Sequence, residues 1–105
     1  MGVRNLNGYN DTLDDLVVAL CRDFERRERR CDNRRVAMEH KYINTRMSDA
    51  AAEIVGTRYA EMMIREIGNR IGYAASEIED FSESTYKRKK AEVKLAIARK
   101  LYLSE

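Results

Sequence analysis

The sequence predicts an all-α protein of four or five helices, and three observations support this fold class. Proline is absent and two of the five glycines lie in the first eight residues, so most of the chain contains no helix breaker. Charged residues make up 36% of the chain, which is typical of long helices. No segment shows the strict apolar and polar alternation of a half-buried strand. We expect a long N-terminal helix or hairpin, followed by a compact helix-turn-helix-like C-terminal unit.

Residues 1–10 are polar and contain both early glycines, and we predict a flexible tail there. Residues 11–105 are then a single helical domain, with Asn10 or Asp11 as the N-cap of its first helix. An apolar stripe follows at helical spacing: Leu13, Leu16, Val17, Leu20 and Phe24. It continues at seven-residue steps through Val17, Phe24, Cys31 and Met38.

The seven-residue steps suggest that residues 11–55 are a long helix that pairs with a second copy of the chain. A homodimer or higher homo-oligomer is therefore expected. The alternative is that this stripe packs against later helices of the same chain. Residues 25–35 hold six arginines and three acids, and two interpretations of them remain open. We favour a solvated helix supported by Glu–Arg pairs, and the alternative is a break near Asp32 and Asn33.

The central region contains two further stripes. The first runs from Val36 to Ile54, with Ser48 or Asp49 as the expected cap of a new helix and Gly56 as its end. The second comprises Tyr59, Met62, Met63, Ile67 and Ile71 and is closed by Gly72, within a helix-turn-helix-like region of residues 57–105. The Gly68-x-x-x-Gly72 spacing indicates a helix end or close packing in a soluble protein, because charged residues surround it.

The charge changes sign abruptly at Tyr86. Residues 74–85 carry four acids and no base, whereas residues 86–105 carry seven bases and two acids. Ser82 suits the N-cap of a basic C-terminal helix, whose first turns would meet base edges in the major groove of DNA. The predicted DNA-binding residues are Ser82, Glu83, Ser84, Thr85, Lys87, Arg88, Lys89, Lys90 and Lys94, of which the Ser82 hydroxyl and the last three lysines would reach phosphates. The alternative is that this run is merely a solvated helix face.

The same stretch resembles the C-terminal signature of ArpU- and RinA-type phage late-gene transcription regulators. The matching positions are Ser82, Ser84, Thr85, Tyr86, Arg88, Lys89, Lys90, Ala91, Ile97, Ala98 and Leu101. Its opening is also similar to the recognition helix of sigma-factor region 4. The resemblance implies a helix-turn-helix that binds DNA, with N-terminal helices that pair subunits or engage RNA polymerase. Two leading helices are possible, one within residues 60–71 and one within residues 74–80.

A rival interpretation is a helical oligomer that serves as a structural or adaptor protein in phage assembly. In another, the arginines of residues 26–35 bind nucleic acid without sequence preference. An enzyme is not expected, because His40 is the single histidine and no nucleophile is placed with it. Cys21, Cys31 and His40 do not have zinc-ligand spacing, and no cofactor, metal or small-molecule substrate is predicted. The unpaired cysteines and the absence of a long apolar run predict a cytoplasmic location and no membrane partner.

Overall fold

The computed structural model describes residues 9–102, which confirm the predicted all-α fold and contain no strand. The elements are α1 (Asp11–Arg22), α2 (Phe24–Glu28), α3 (Arg34–Val55), α4 (Ala60–Gly68), a 3₁₀ turn (Tyr73–Ala75) and α5 (Glu83–Leu101). None of the helices in this span combines the length and the apolar composition that crossing a bilayer requires. Residues 1–8 of the predicted tail lie outside the described residues.

Helix α1 begins at an Asn10 cap, whose side chain accepts a hydrogen bond from the Leu13 amide at 2.9 Å. Leu13, Val17 and Cys21 follow at four-residue steps and are buried. The helix packs against α4 and α5 of the same chain. Most of the predicted apolar stripe of α1 therefore packs in the protein's own core, as the alternative to an intermolecular seam predicted, although Leu16 is 45% exposed.

The crossing of α1 and α4 depends on Gly68, the last residue of α4. A Cβ atom at this position would lie 2.6 Å from the backbone of Cys21 and Arg22. Glycine is needed because the two backbones approach too closely for any side chain. The Gly68-x-x-x-Gly72 spacing predicted a helix end or close packing, and Gly68 shows both, whereas Gly72 has no close neighbour.

Helix α3 is continuous from Arg34 to Val55, so the predicted new helix at Ser48 or Asp49 is wrong. Burial explains the difference, because Met47, Ala50 and Ala51 are fully buried and the helix packs against both α4 and α5. Tertiary packing here overrides a local capping preference. The predicted end at Gly56 is confirmed, since this residue has φ +85° and its amide bonds to Ala52.

The favoured helix through residues 25–35 is wrong, and the alternative break is confirmed. Helix α2 ends at Glu28, and α3 begins after an Asn33 cap that accepts from the Val36 amide at 3.1 Å. Cys31 therefore lies in a connection, not on a helix face, and Met38 is 66% exposed. The seven-residue pattern thus does not form one stripe. We call residues 26–35 the arginine turn.

Helix α5 lies antiparallel to α3 and completes the core. Its Lys89 side chain donates to the Ile54 carbonyl near the end of α3, whereas its Lys100 carbonyl accepts from Arg46 earlier in α3. The buried residues of α5 are Tyr86, Val93, Ile97 and Ala98. This direction places the start of α5 and the arginine turn at opposite ends of α3.

Candidate nucleic-acid interface

Helix α4 precedes α5, and residues 69–82 connect the two. Of the two predicted leading helices, the one in residues 60–71 corresponds to α4, which ends earlier, at Gly68, and residues 74–80 contain only part of a 3₁₀ turn. The predicted closure at Gly72 is wrong. Arg70 adopts φ +54° and the Ile71 amide bonds back to the Glu66 carbonyl, which ends α4 at Gly68. The connection is longer than the three or four residues of a compact helix-turn-helix.

Glu66 is the buried group that holds the connection and α5 together. Its side chain, 4% exposed, accepts hydrogen bonds from the Tyr86 hydroxyl at 2.7 Å, the Ser76 hydroxyl at 2.7 Å and the Glu77 amide at 2.8 Å. A buried carboxylate requires such partners, because removal from water is costly for a charge. One carboxylate thereby sets the orientation of α5 relative to α4.

Tyr86 is the inward-facing anchor of α5. Burial raises the pKa of Tyr86 to about 12, and the hydrogen bond to Glu66 adds to this increase. The Lys90 ammonium lies 5.4 Å from the Tyr86 ring and donates to the Ile71 carbonyl. Burial lowers the pKa of Lys90, while the nearby Glu66 opposes that decrease.

The first two turns of α5 keep part of the predicted DNA-binding face exposed. Ser82 caps the helix by accepting from the Thr85 amide at 3.3 Å, and it also donates to the Thr85 hydroxyl. Ser84, Lys87 and Arg88 are exposed. Lys87 pairs with Glu83 at 3.0 Å and Arg88 pairs with Glu92 at 3.5 Å. Exposed pairs at i,i+4 contribute only about 0.3–0.5 kcal/mol, so they are easily exchanged for another partner.

Lys89, Lys90 and Lys94, the predicted phosphate contacts, are all engaged with the protein. Lys89 donates to the Ile54 carbonyl at 3.1 Å and lies over the Phe81 ring. Lys94 pairs with Asp14 of α1 at 3.0 Å and is 25% exposed. These positions face inward because α5 packs against α1, α3 and α4 together. The exposed cationic face at the start of α5 is therefore reduced to Lys87 and Arg88.

The acids before α5 further lower the positive potential. Residues 74–92 contain four bases and five acids, and Glu77, Glu79, Asp80 and Glu83 are all exposed. Asp80 accepts from the Tyr59 hydroxyl at 2.6 Å, which holds the acidic connection against the start of α4.

A second buried polar residue, Arg27, anchors the arginine turn and is 7% exposed. Its guanidinium donates to the Asn44 side-chain oxygen at 2.6 Å, the Leu20 carbonyl at 2.5 Å and the Met47 sulfur at 3.1 Å. Asn44 in turn donates to the Phe24 carbonyl at 3.0 Å and to Glu28 at 2.6 Å. Helix α2 is thereby fastened to α3 through one polar cluster.

Sequence reasoning missed Glu66, Arg27 and Asn44. Each belongs to a residue type that is usually exposed, and each lies among similar residues in the sequence. One signal in the sequence could have predicted their burial, which is a position one helical turn from a buried apolar residue. Glu66 lies three residues after Met63, and Asn44 lies three residues before Met47.

No group of three metal-ligating side chains occurs among residues 9–102. Cys21 and Cys31 are free thiols. Cys21 is buried, and burial raises the pKa of its thiol to about 12. A thiol with this pKa stays protonated near neutral pH, so it acts as a small core residue instead of a nucleophile.

The chain matches no family model, no curated protein and no solved structure.

Proposed function

We propose that this protein is a non-enzymatic, cytoplasmic DNA-binding transcriptional regulator of phage or prophage type. Helix α5 would enter the major groove with its first two turns, and other surfaces would pair subunits or engage RNA polymerase. The observation that carries the proposal is the start of α5, where Ser84, Lys87 and Arg88 are exposed while Tyr86 is held inward. The resemblance of residues 82–101 to ArpU- and RinA-type regulators supports it.

The contact set is narrower than the sequence suggested. Lys87 and Arg88 would bond guanine O6 and N7 or nearby phosphates, and Ser84 would contact a base edge. Lys89, Lys90 and Lys94 are left out of the proposed DNA contacts, because each is partly buried and already bonds to a group within the protein. Glu83 and Glu92 would release Lys87 and Arg88 at small cost, as their pairs are exposed.

Selection of bound duplexes from a random DNA pool tests this proposal directly. We expect a preferred sequence to emerge, and Lys87→Gln with Arg88→Gln to weaken binding to it at least tenfold. Each bidentate base contact is worth about 1–3 kcal/mol of discrimination. Circular dichroism should show an unchanged helix content, since both side chains are exposed.

A matched control variant is Arg22→Gln with Arg99→Gln, which removes two exposed charges away from the start of α5. The control should keep the sequence preference of the wild-type protein. Failure to select any sequence, or equal losses in the test and control variants, would contradict the regulator proposal.

A second candidate function is a structural or adaptor oligomer, and one surface of α3 favours it. Met38 is 66% exposed and Tyr42 is 59% exposed, one helical turn apart. Large apolar side chains grouped on a surface often mark a protein contact. Measuring the mass of the protein in solution separates the two functions in part. A dimer favours the regulator. A ring or larger assembly favours the structural role if the double variant Met38→Glu with Tyr42→Glu dissociates it.

A further inference from the structure

The arginine turn has five exposed bases, more than the two at the start of α5. Residues 26–35 contain six bases and two acids, a net charge of +4, which exceeds the +2 of the whole chain. Arg26, Arg29, Arg30, Arg34 and Arg35 are exposed, while Arg27 is buried as the anchor. Every base in residues 26–35 is arginine, and none is lysine.

Two acids next to these arginines bond to groups outside the arginine turn. Glu25 pairs instead with Arg65 of α4, and Glu28 accepts a hydrogen bond from Asn44. The Glu–Arg pairs expected along a continuous helix therefore do not form, because the connection at residues 29–33 separates the two helical parts. Within residues 9–102, Arg29, Arg34 and Arg35 have no ion-pair partner closer than 4.0 Å.

The remaining pairs are weak. Arg30 lies 3.6 Å from Asp32, and both side chains are more than nine-tenths exposed. Arg26 lies 3.3 Å from Asp23, also on the surface. Arg34 and Arg35 occupy the first turn of α3, which contains no acid. Cations there add to the positive end of the helix dipole instead of offsetting it. The positive charge of the exposed arginines therefore depends on the fold, because Arg27 and Asn44 hold α2 against α3 on either side of the connection.

We infer that the arginine turn binds the phosphate backbone of nucleic acid without reading its sequence. Guanidinium groups match phosphate oxygens in bidentate geometry, which explains a cluster made of arginine alone. The choice of duplex DNA as the ligand rests on the proposed function. The surface itself is separate from α5, because Arg34 and Ile54 are 20 residues apart along α3, or roughly 30 Å. Lys89 at the start of α5 contacts Ile54 at the far end.

The test uses the full chain, a random-sequence DNA duplex and a series of salt concentrations. Arg29→Gln with Arg34→Gln and Arg35→Gln should weaken binding at least tenfold. Each lost phosphate contact lowers the slope of log affinity against log salt by about 0.9, so the slope should fall by roughly 2 to 3. A wild-type affinity and slope in this variant would overturn the inference.

Two control variants make the result specific. Arg22→Gln with Arg58→Gln and Arg99→Gln removes three exposed arginines elsewhere and should change the slope by less than one contact. Replacing Arg29, Arg34 and Arg35 by lysine keeps the charge, so this variant should retain most of the slope. If the lysine variant loses as much of the slope as the glutamine variant, the slope does not follow the charge of these residues and the inference is overturned.

The two experiments distinguish failure of this inference from failure of the regulator proposal. Loss of random-duplex binding in the glutamine variant of the arginine turn, with no sequence selected by the wild-type protein, supports this inference and contradicts the role of α5. Sequence selection that depends on Lys87 and Arg88, with an unchanged slope in the arginine variant, gives the opposite result.

Discussion

The arginine turn and the start of α5 both carry runs of basic residues, yet the fold treats their charge differently. At the arginine turn, Glu25 and Glu28 bond to Arg65 and Asn44, and residues 26–35 have a net charge of +4. At the start of α5, Lys89 and Lys90 turn inward, and residues 74–92 have a net charge of −1. A run of bases in a sequence therefore does not establish a positive surface, since packing selects which charges reach solvent.

Each region is held by one buried polar side chain, and the two have opposite charge. Glu66 organises the connection before α5, whereas Arg27 fastens α2 to α3. Each group bonds mostly to neutral partners, so hydrogen bonds replace the lost hydration. Substitutions of Glu66 and Arg27 should show how strongly the structure of each region depends on its buried polar residue.

The largest effect is expected from Glu66→Ala. The Tyr86 hydroxyl, the Ser76 hydroxyl and the Glu77 amide would lose one charged acceptor together. We expect a loss of about 3–5 kcal/mol in the free energy of unfolding, measured by urea denaturation. Glu61→Ala, on the exposed face of the same helix, should change stability by less than about 0.5 kcal/mol. Equal effects of the two substitutions would contradict the role of Glu66 as an anchor.

A smaller effect is expected from Arg27→Ala. The substitution leaves the Asn44 side-chain oxygen and the Leu20 carbonyl without their donor, and we expect a loss of about 2–4 kcal/mol. Hydrogen exchange should also become faster in the amides of residues 27 and 29, which bond to the Asp23 and Arg26 carbonyls, because the cluster that holds α2 against α3 is lost. Arg26→Ala, on the exposed side of the turn, is the control and should leave that exchange unchanged. An Arg27 variant with wild-type exchange would show that the turn holds its shape without this anchor.

The smallest effect is expected from Tyr86→Phe, about 1 kcal/mol at neutral pH. The pKa of Tyr86 is raised from 10.0 to about 12 in the folded protein. The unfolded chain therefore ionises first as the pH rises, and the contribution of this hydroxyl is complete below pH 10 and lost as the pH approaches about 12. The stability difference between wild type and Tyr86→Phe should shrink over that range. Tyr102→Phe, at an exposed position, is the control, and a difference that stays constant with pH would show that the Tyr86 pKa is not raised.

Several elements were predictable because they depend on short-range chemistry. Asn10 and Ser82 begin helices because their side chains can cap free backbone amides, and Gly56 ends a helix because glycine can adopt a positive φ. The break in residues 25–35 was harder, since Asp32 and Asn33 suit a turn while the many arginines suit a helix. The capping position of Asn33 explains the outcome only after the contact between Arg27 and Asn44, 17 residues apart, is known.

The candidate site was predicted only in part. Ser84, Lys87 and Arg88 lie on the exposed side of α5, and Tyr86 lies inside, as helical periodicity indicates. Lys89, Lys90 and Lys94 could not be placed in the same way. Their orientation depends on α1, α3 and α4 surrounding α5, and lysine stems can line a buried surface while the ammonium finds a carbonyl or a carboxylate.

The sequence alone determined that this protein is helical and where α1 and α5 begin, because caps and apolar spacing act within a few residues. Only the tertiary structure decided which charges are available to a partner. The partners of Glu25, Glu28 and Lys94 lie 40, 16 and 80 residues away along the chain. Coulomb attraction and desolvation act through space, so their balance is set by the packing of the helices and not by the order of residues.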